Sequence, residues 1–144
     1  MFKRILVPTD GSPCAGKAIA YALDLAVKYG ASLEVVSVID PVPFVAFPAG
    51  GGEALAYYLE AAEQGANEGI AAAEQAARAQ GVAVSSHILK EHGPAVSIVE
   101  HAKASGCELI VMGSHGRRGL DAVILGSVAQ KVLTLSPLPV LIIK

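Results

Sequence analysis

LIVMGSHGRRGLDAVILGS, residues 109–127, runs from an apolar strand through a glycine-punctuated loop to a helix N-terminus. Gly113, Gly116 and Gly119 can take positive φ and let the backbone come close to a ligand, so successive N–H groups can converge on anionic oxygens. Arg117 and Arg118 add charge to the same loop. Ser127 followed by Gln130 is a capping-box pair, which predicts that Ser127 caps the last helix and aims its free N–H groups and dipole at the same anion. An ordinary strand-to-helix connection whose glycines only make turns would carry the same letters. The rest of the chain decides between these readings.

Upstream, residues 5–7 form a short apolar strand. A helix follows in which Ser12 is the N-cap, Pro13 suits the first helical position and Gly30 marks the stop. Ala15, Ile19, Ala22, Leu23 and Ala26 recur at helical spacing and make a stripe that packs on a sheet. Residues 33–39 read as the second strand. Residues 40–52, DPVPFVAFPAGGG, are too rich in Pro and Gly for regular structure, which suits a lid, a binding loop, an interface or a disordered excursion. An Ala-rich helix spans 53–80, with Gly65 and Gly69 as weak points and Gly81 as its stop. Residues 82–89 predict a third strand, 94–105 a helix with Ile98, Val99 and Ala102 facing inward, and 109–112 a fourth strand. The last helix covers 127–135, and 140–143 forms a fifth strand behind Pro137 and Pro139.

Five strands separated by four helical segments predict a single doubly wound α/β domain over 1–144, with a five-stranded parallel sheet and helices on both faces. The chain's 144 residues and 53% hydrophobic content suffice for one buried core. A formal net charge of -2 and 17% charged residues leave no broad basic field for a nucleic acid or an anionic membrane. The opening MFKRILVPTD has too short an apolar run before Pro8 for a signal peptide, so cytoplasmic residence is expected. No window approaches the roughly 18 apolar residues of a membrane span. Cys14 and Cys107 lack CxxC spacing and read as bystander thiols. His87, His92, His101 and His115 show no HExxH or Cys-pair spacing that would build a metal site locally.

In open α/β sheets the ligand crevice lies beyond the carboxyl ends of the strands, where strand order reverses. In the order 3-2-1-4-5 the PTDGS loop after strand one faces the glycine loop after strand four, which puts Asp10 beside Gly113 to Gly119. A carboxylate repels phosphate, so Asp10 would hydrogen-bond a base or ribose or bind Mg2+. As an Asx residue it would also serve simply to form the turn.

These segments resemble the universal stress protein family. The likeness spans the whole chain: the opening ILVPTDGS, the VID of Val38 to Asp40, the GSHGRRG loop, the LGSVAQKVL helix and the closing PLPVLIIK. Its signature is Gly-x2-Gly-x9-Gly-Ser at Gly113, Gly116, Gly126 and Ser127. The resemblance implies the 3-2-1-4-5 order and an adenine-nucleotide binder, commonly holding ATP with Mg2+. By matched position, Pro8 and Asp10 would border the adenosine and Val38 would meet adenine through its backbone. Gly113, Gly116 and Gly119 would shape the wall around ribose and phosphates, and Gly126, Ser127 and Val128 would present amides to the phosphates. Ser114, His115, Arg117 and Arg118 lie in the same loop. A lone loop histidine such as His115 is more often solvated than functional.

Enzymatic motifs are missing. The chain has no GxxxxGK[ST] P-loop and no SGGxDS-like loop after strand one. Asp10 has no evident general-acid partner, so fast turnover is not expected. A receiver domain is excluded, because strand one ends in one acid and strand three ends at Leu89-Lys90 without a phosphoacceptor Asp. The reading that follows is a nucleotide-responsive stress regulator. Its alternatives are a slow ATPase and a nucleotide-independent interaction module. The closing VLIIK would be an exposed apolar edge strand, which predicts a homodimer through that strand, as the resemblance also implies.

Overall fold

The computed structural model describes residues 1–40, 52–116 and 124–144. In chain order the elements are β1 (Arg4–Pro8), α1 (Pro13–Tyr29), β2 (Ser32–Val38), α2 (Gly52–Ala79), β3 (Val84–Leu89), α3 (Pro94–Ala104), β4 (Leu109–Gly113), α4 (Ser127–Leu135) and β5 (Val140–Ile143). The strands form one five-stranded sheet in the order β3-β2-β1-β4-β5. Every pairing is parallel, from β2 on β3 to β4 on β5. The expected doubly wound α/β architecture is therefore present, with β3 and β5 at the edges. Of the Pro- and Gly-rich stretch 40–52, residues 41–51, with Phe44 and Phe47, lie outside the described residues.

Strand alternation sorts the core into two layers. Ile5, Val7, Leu33, Val35, Leu109 and Val111 project to the side covered by α1 and α2. Leu6, Val36, Ile110 and Met112 project to the side covered by α3 and α4, among Ile98, Val99 and Val132. Glu34 belongs by alternation to this second layer and is buried there as a carboxylate, 4% exposed.

Local chemistry accounts for α1. The Ser12 Oγ accepts the Ala15 N–H at 3.2 Å, Pro13 occupies the first turn, and Gly30 closes the helix at φ 67. The predicted stripe of Ala15, Ile19, Ala22, Leu23 and Ala26 is buried throughout, joined by Ala18. In α2 the helix runs unbroken through Gly65 and Gly69, both buried. A Cβ on Gly69 would lie 3.1 Å from the Gly11 nitrogen and 3.1 Å from Thr9 Oγ1. The residue expected as a weak point is thus a contact point that brings α2 onto the turn after β1.

No helix among the described residues is long and apolar enough to cross a membrane. Both cysteines are free thiols. Burial pushes the Cys107 thiol up from 9.0 to about 11, and the Glu34 carboxylate pushes in the same direction. The unfolded chain ionises this thiol at lower pH than the native one, so its contribution to stability is intact below pH 9.0 and declines as pH rises toward about 11.

Two measurements check this packing. Leu23→Ala removes a side chain that is 2% exposed and should lower the unfolding free energy in urea by about 2–5 kcal/mol. In native protein at pH 8, a soluble thiol reagent should label Cys14, which is partly exposed, and leave Cys107 unlabelled until the chain is unfolded.

Candidate functional site

The turn after β1 is held by its own side chains. The Thr9 Oγ1 accepts the Gly11 N–H at 3.1 Å, and the Asp10 Oδ1 accepts the Ser12 N–H at 2.9 Å. Gly11 takes φ 77, the left-handed conformation that favours glycine. Asp10 therefore does form an Asx turn, using one carboxylate oxygen. Its other oxygen, Oδ2, lies 2.8 Å from the point where a Cβ on Gly116 would sit. The loops after β1 and β4 thus meet, as the strand order requires.

At the end of β4 and beyond it, three glycines are tied to close approaches. A Cβ on Gly113 would stand 2.9 Å from Cys14 Sγ and 3.2 Å from the Cys14 carbonyl carbon and oxygen. One on Gly126 would stand 2.8 Å from the Ser114 carbonyl oxygen. The backbone angles correct an expectation: among described glycines, positive φ occurs at Gly11, Gly30, Gly81 and Gly106. Gly113 and Gly116 are not among them, and Gly126 has φ -63. These positions need glycine because a side chain has no room, not because the backbone is left-handed. At Gly116 the obstacle is the end of a flexible side chain. At Gly126 it is backbone, which cannot swing aside.

Ser114 joins these pieces and is 2% exposed. Its N–H donates to the Ile143 carbonyl at 2.7 Å, and its carbonyl accepts the Gly126 N–H at 2.8 Å. The Ser114 Oγ lies 2.8 Å from His115 Nδ1 and 3.9 Å from Cys14 Sγ. His115 is half-buried rather than solvated, with its Nε2 buried and lacking a hydrogen-bond partner among the described residues. Arg117, Arg118 and Gly119 lie outside the described residues.

The start of α4 differs from the capping-box expectation. Gly126 is the N-cap and Ser127 is already helical, with no side chain capping the first turn. Gln130 turns its Nε2 to the Leu125 carbonyl at 2.8 Å instead of reaching back to the N-cap amide. With Gly126 as the N-cap, Gln130 falls one residue beyond the third helical position that a capping box uses, and the Gly126 N–H is already committed to Ser114. The first intrahelical bond runs from the Gln130 N–H to the Gly126 carbonyl at 3.0 Å. The amides of Ser127, Val128 and Ala129 precede it and have no carbonyl inside the helix to bind. The helix dipole adds partial positive charge at that point, so the end of α4 is an anion-accepting surface.

Pro8, at the end of β1, and Val38, at the end of β2, are half-buried. Val38, Leu125 and Val128 pack as partly buried residues on the same apolar layer beneath α3 and α4. The carboxyl end of the sheet therefore carries an acid at Asp10, apolar side chains at Val38 and Val128, and uncapped amides at Ser127 and Val128. Such a set can accept a ligand with an apolar part, hydroxyl groups and an anionic tail.

Comparison with known proteins agrees with this architecture. The model of the universal stress protein family matches residues 1–144. A universal stress protein of Methanocaldococcus jannaschii is 35% identical over 144 residues, covering 100% of this chain and 83% of its own. The crystal structure of a universal stress protein family member from Burkholderia pseudomallei superposes with a TM-score of 0.77 at 30% identity, covering 98% of this chain and 95% of that one. The universal stress protein of Archaeoglobus fulgidus, solved in complex with dAMP, superposes with a TM-score of 0.71 at 25% identity, covering 99% and 98%. With its whole length matched in sequence and fold, the chain belongs to the universal stress protein family.

Proposed function

We propose that this stress protein binds an adenine nucleotide, ATP with Mg2+, in the crevice beyond the carboxyl ends of β1 and β4. Nucleotide binding biases conformation or assembly, and the chain is a regulator rather than a fast enzyme. The observation that carries this reading is the uncapped first turn of α4, whose N-cap Gly126 approaches Ser114 and His115 in the loop that also brings Gly116 to Asp10. Unsatisfied amides at a helix N-terminus fit a polyphosphate. The dAMP complex of the Archaeoglobus fulgidus relative supports an adenine nucleotide as the class of ligand.

In this assignment Pro8 and Asp10 border the adenosine, and Val38 meets adenine through its backbone. Gly113, Gly116 and Gly119 shape the wall around ribose and phosphates, with Ser114, His115, Arg117 and Arg118 in the same loop. Ser127 and Val128 offer the amides, while Gly126 gives the chain its close path past Ser114. Asp10 would repel a phosphate directly, so it serves a ribose hydroxyl or Mg2+. The Mg2+ would supply charge neutralisation at the phosphates. Cytoplasmic residence fits a nucleotide drawn from the cell's own pool.

The chain also pairs with a second copy through β5 in this reading. That strand lies at the sheet edge, and Leu133, Leu135 and Leu141 near it are 45%, 50% and 38% exposed. Exposed edge strands with apolar flanks recruit a partner strand.

Equilibrium binding tests the crevice. Gly113→Val combined with Gly126→Val should weaken ATP binding by more than about tenfold, whereas Gly116→Ala should cost less because the Asp10 side chain can move. Unchanged affinity in the double variant, with its circular dichroism intact, would exclude this site. Purified protein should release no phosphate from ATP in proportion to its concentration; release that scales with protein and disappears in Asp10→Ala would make it an ATPase. In sedimentation the native chain should run as a dimer and Leu141→Lys as a monomer, and a native chain found only as monomer would refute pairing.

A further inference from the structure

We propose that Glu34, His87 and His101 form a binding site for a divalent transition-metal ion, with zinc the best fit, on the α3 face of the sheet and apart from the crevice. The site is assembled from three elements. Glu34 is the third residue of β2, and its partners across the sheet are Leu6 on β1 and Ser85 on β3. His87 pairs with Val36, which projects to the same face as Glu34 two residues along β2. His101 comes down onto this face from the last turn of α3.

All three side chains converge through the right atoms. The Nε2 of His87 and the Nε2 of His101 each lie 2.8 Å from the same oxygen, Glu34 Oε1. The two rings stand 4.8 Å apart between centroids and are tilted by 51°. One ligand atom from each residue lies within 4.8 Å of the others, the one such grouping among the described residues. The Glu34 side chain is 5% exposed and that of His101 is 17%, while that of His87 is 48% exposed and provides the way in.

The chemistry selects the ion. Alternation along β2 turns position 34 into an apolar layer, and a buried carboxylate there is costly unless paired or coordinated. Two imidazole nitrogens and one carboxylate oxygen are a zinc donor set, with a fourth position left for water; Mg2+ and Ca2+ prefer oxygen alone. Zinc bonds of about 2.0–2.2 Å in a tetrahedron put donors roughly 3.3 Å apart. Each 2.8 Å contact therefore opens by about 0.5 Å to admit the ion. The half-exposed His87 ring has the freedom to turn. Ser105 Oγ, 3.1 Å from His101 Nε2, adds an oxygen beside the site, and its backbone is held by the Arg4 guanidinium, which donates to the Ser105 carbonyl at 2.6 Å. The alternative, a purely hydrogen-bonded Glu-His-His cluster, predicts no stoichiometric affinity for zinc.

Calorimetric titration of the EDTA-treated full chain with ZnCl2 at pH 7.5 should show one zinc per chain. His87→Ala alters an exposed ring and Glu34→Gln is isosteric, and each should weaken binding by at least about tenfold. Cys107→Ala should bind zinc as the native chain does. Co2+ in place of Zn2+ should give visible d–d absorption without a thiolate charge-transfer band. Absence of stoichiometric zinc uptake, affinity unchanged in both His87→Ala and Glu34→Gln, or a thiolate band would each overturn the assignment. None of these readouts involves nucleotide, so they stand or fall separately from the crevice.

Discussion

The carboxyl end of this sheet depends on one steric constraint: backbones there pass closer than any side chain permits. Cys14 presses against Gly113, Asp10 against Gly116 and the Ser114 carbonyl against Gly126. These contacts bind α1, β1, β4 and the start of α4 into one block. Ser114 is its centre, since its N–H reaches β5 at Ile143 and its carbonyl takes the amide of Gly126. Filling Gly113 or Gly126 would separate segments whose convergence forms the crevice, so these glycines act on a ligand indirectly, through the shape they allow.

A second constraint comes from parallel pairing, which buries the central strands on both faces. Ile5, Leu6 and Val7 are each 0% exposed although they alternate between layers, so a run of apolar residues was the right signature for β1. Glu34 breaks this rule in β2 and is accommodated by imidazoles from two other elements. Departures of this kind from local consistency are where function or strain tends to concentrate.

Much of the architecture was legible because local signals agreed with the global fold. Around α1, Ser12, Pro13 and Gly30 each do what their types predict, and the buried stripe follows helical spacing. Regular alternation of strands and helices foretold the doubly wound parallel sheet, and the family resemblance implied its order. The start of α4 was not legible to the residue, because Gly126 and Ser127 are both acceptable N-caps by propensity and a contact with Ser114, distant in sequence, decides between them. The role of Gly69 was hidden for the same reason, since its neighbours Thr9 and Gly11 lie on another element. In the crevice, the residue types and their convergence were readable while the reason for the glycines was not: close packing leaves the same letters as positive φ. Glu34, His87 and His101 were invisible as a group, because motif spacing reports only ligands close in sequence.

The bare first turn of α4 carries a thermodynamic consequence. A helix whose N-cap is glycine is less secure than one with a serine or aspartate cap, by roughly a few tenths of a kcal/mol. Here a capping side chain at position 126 would collide with the Ser114 carbonyl, so the protein by itself cannot recover that energy. Any anion settling on those amides recovers it instead, and the fraying of α4 becomes coupled to occupancy. Because α4 packs against α3 and β5, tightening its first turn would propagate to the edge of the sheet, linking what fills the groove to how firmly that edge is held.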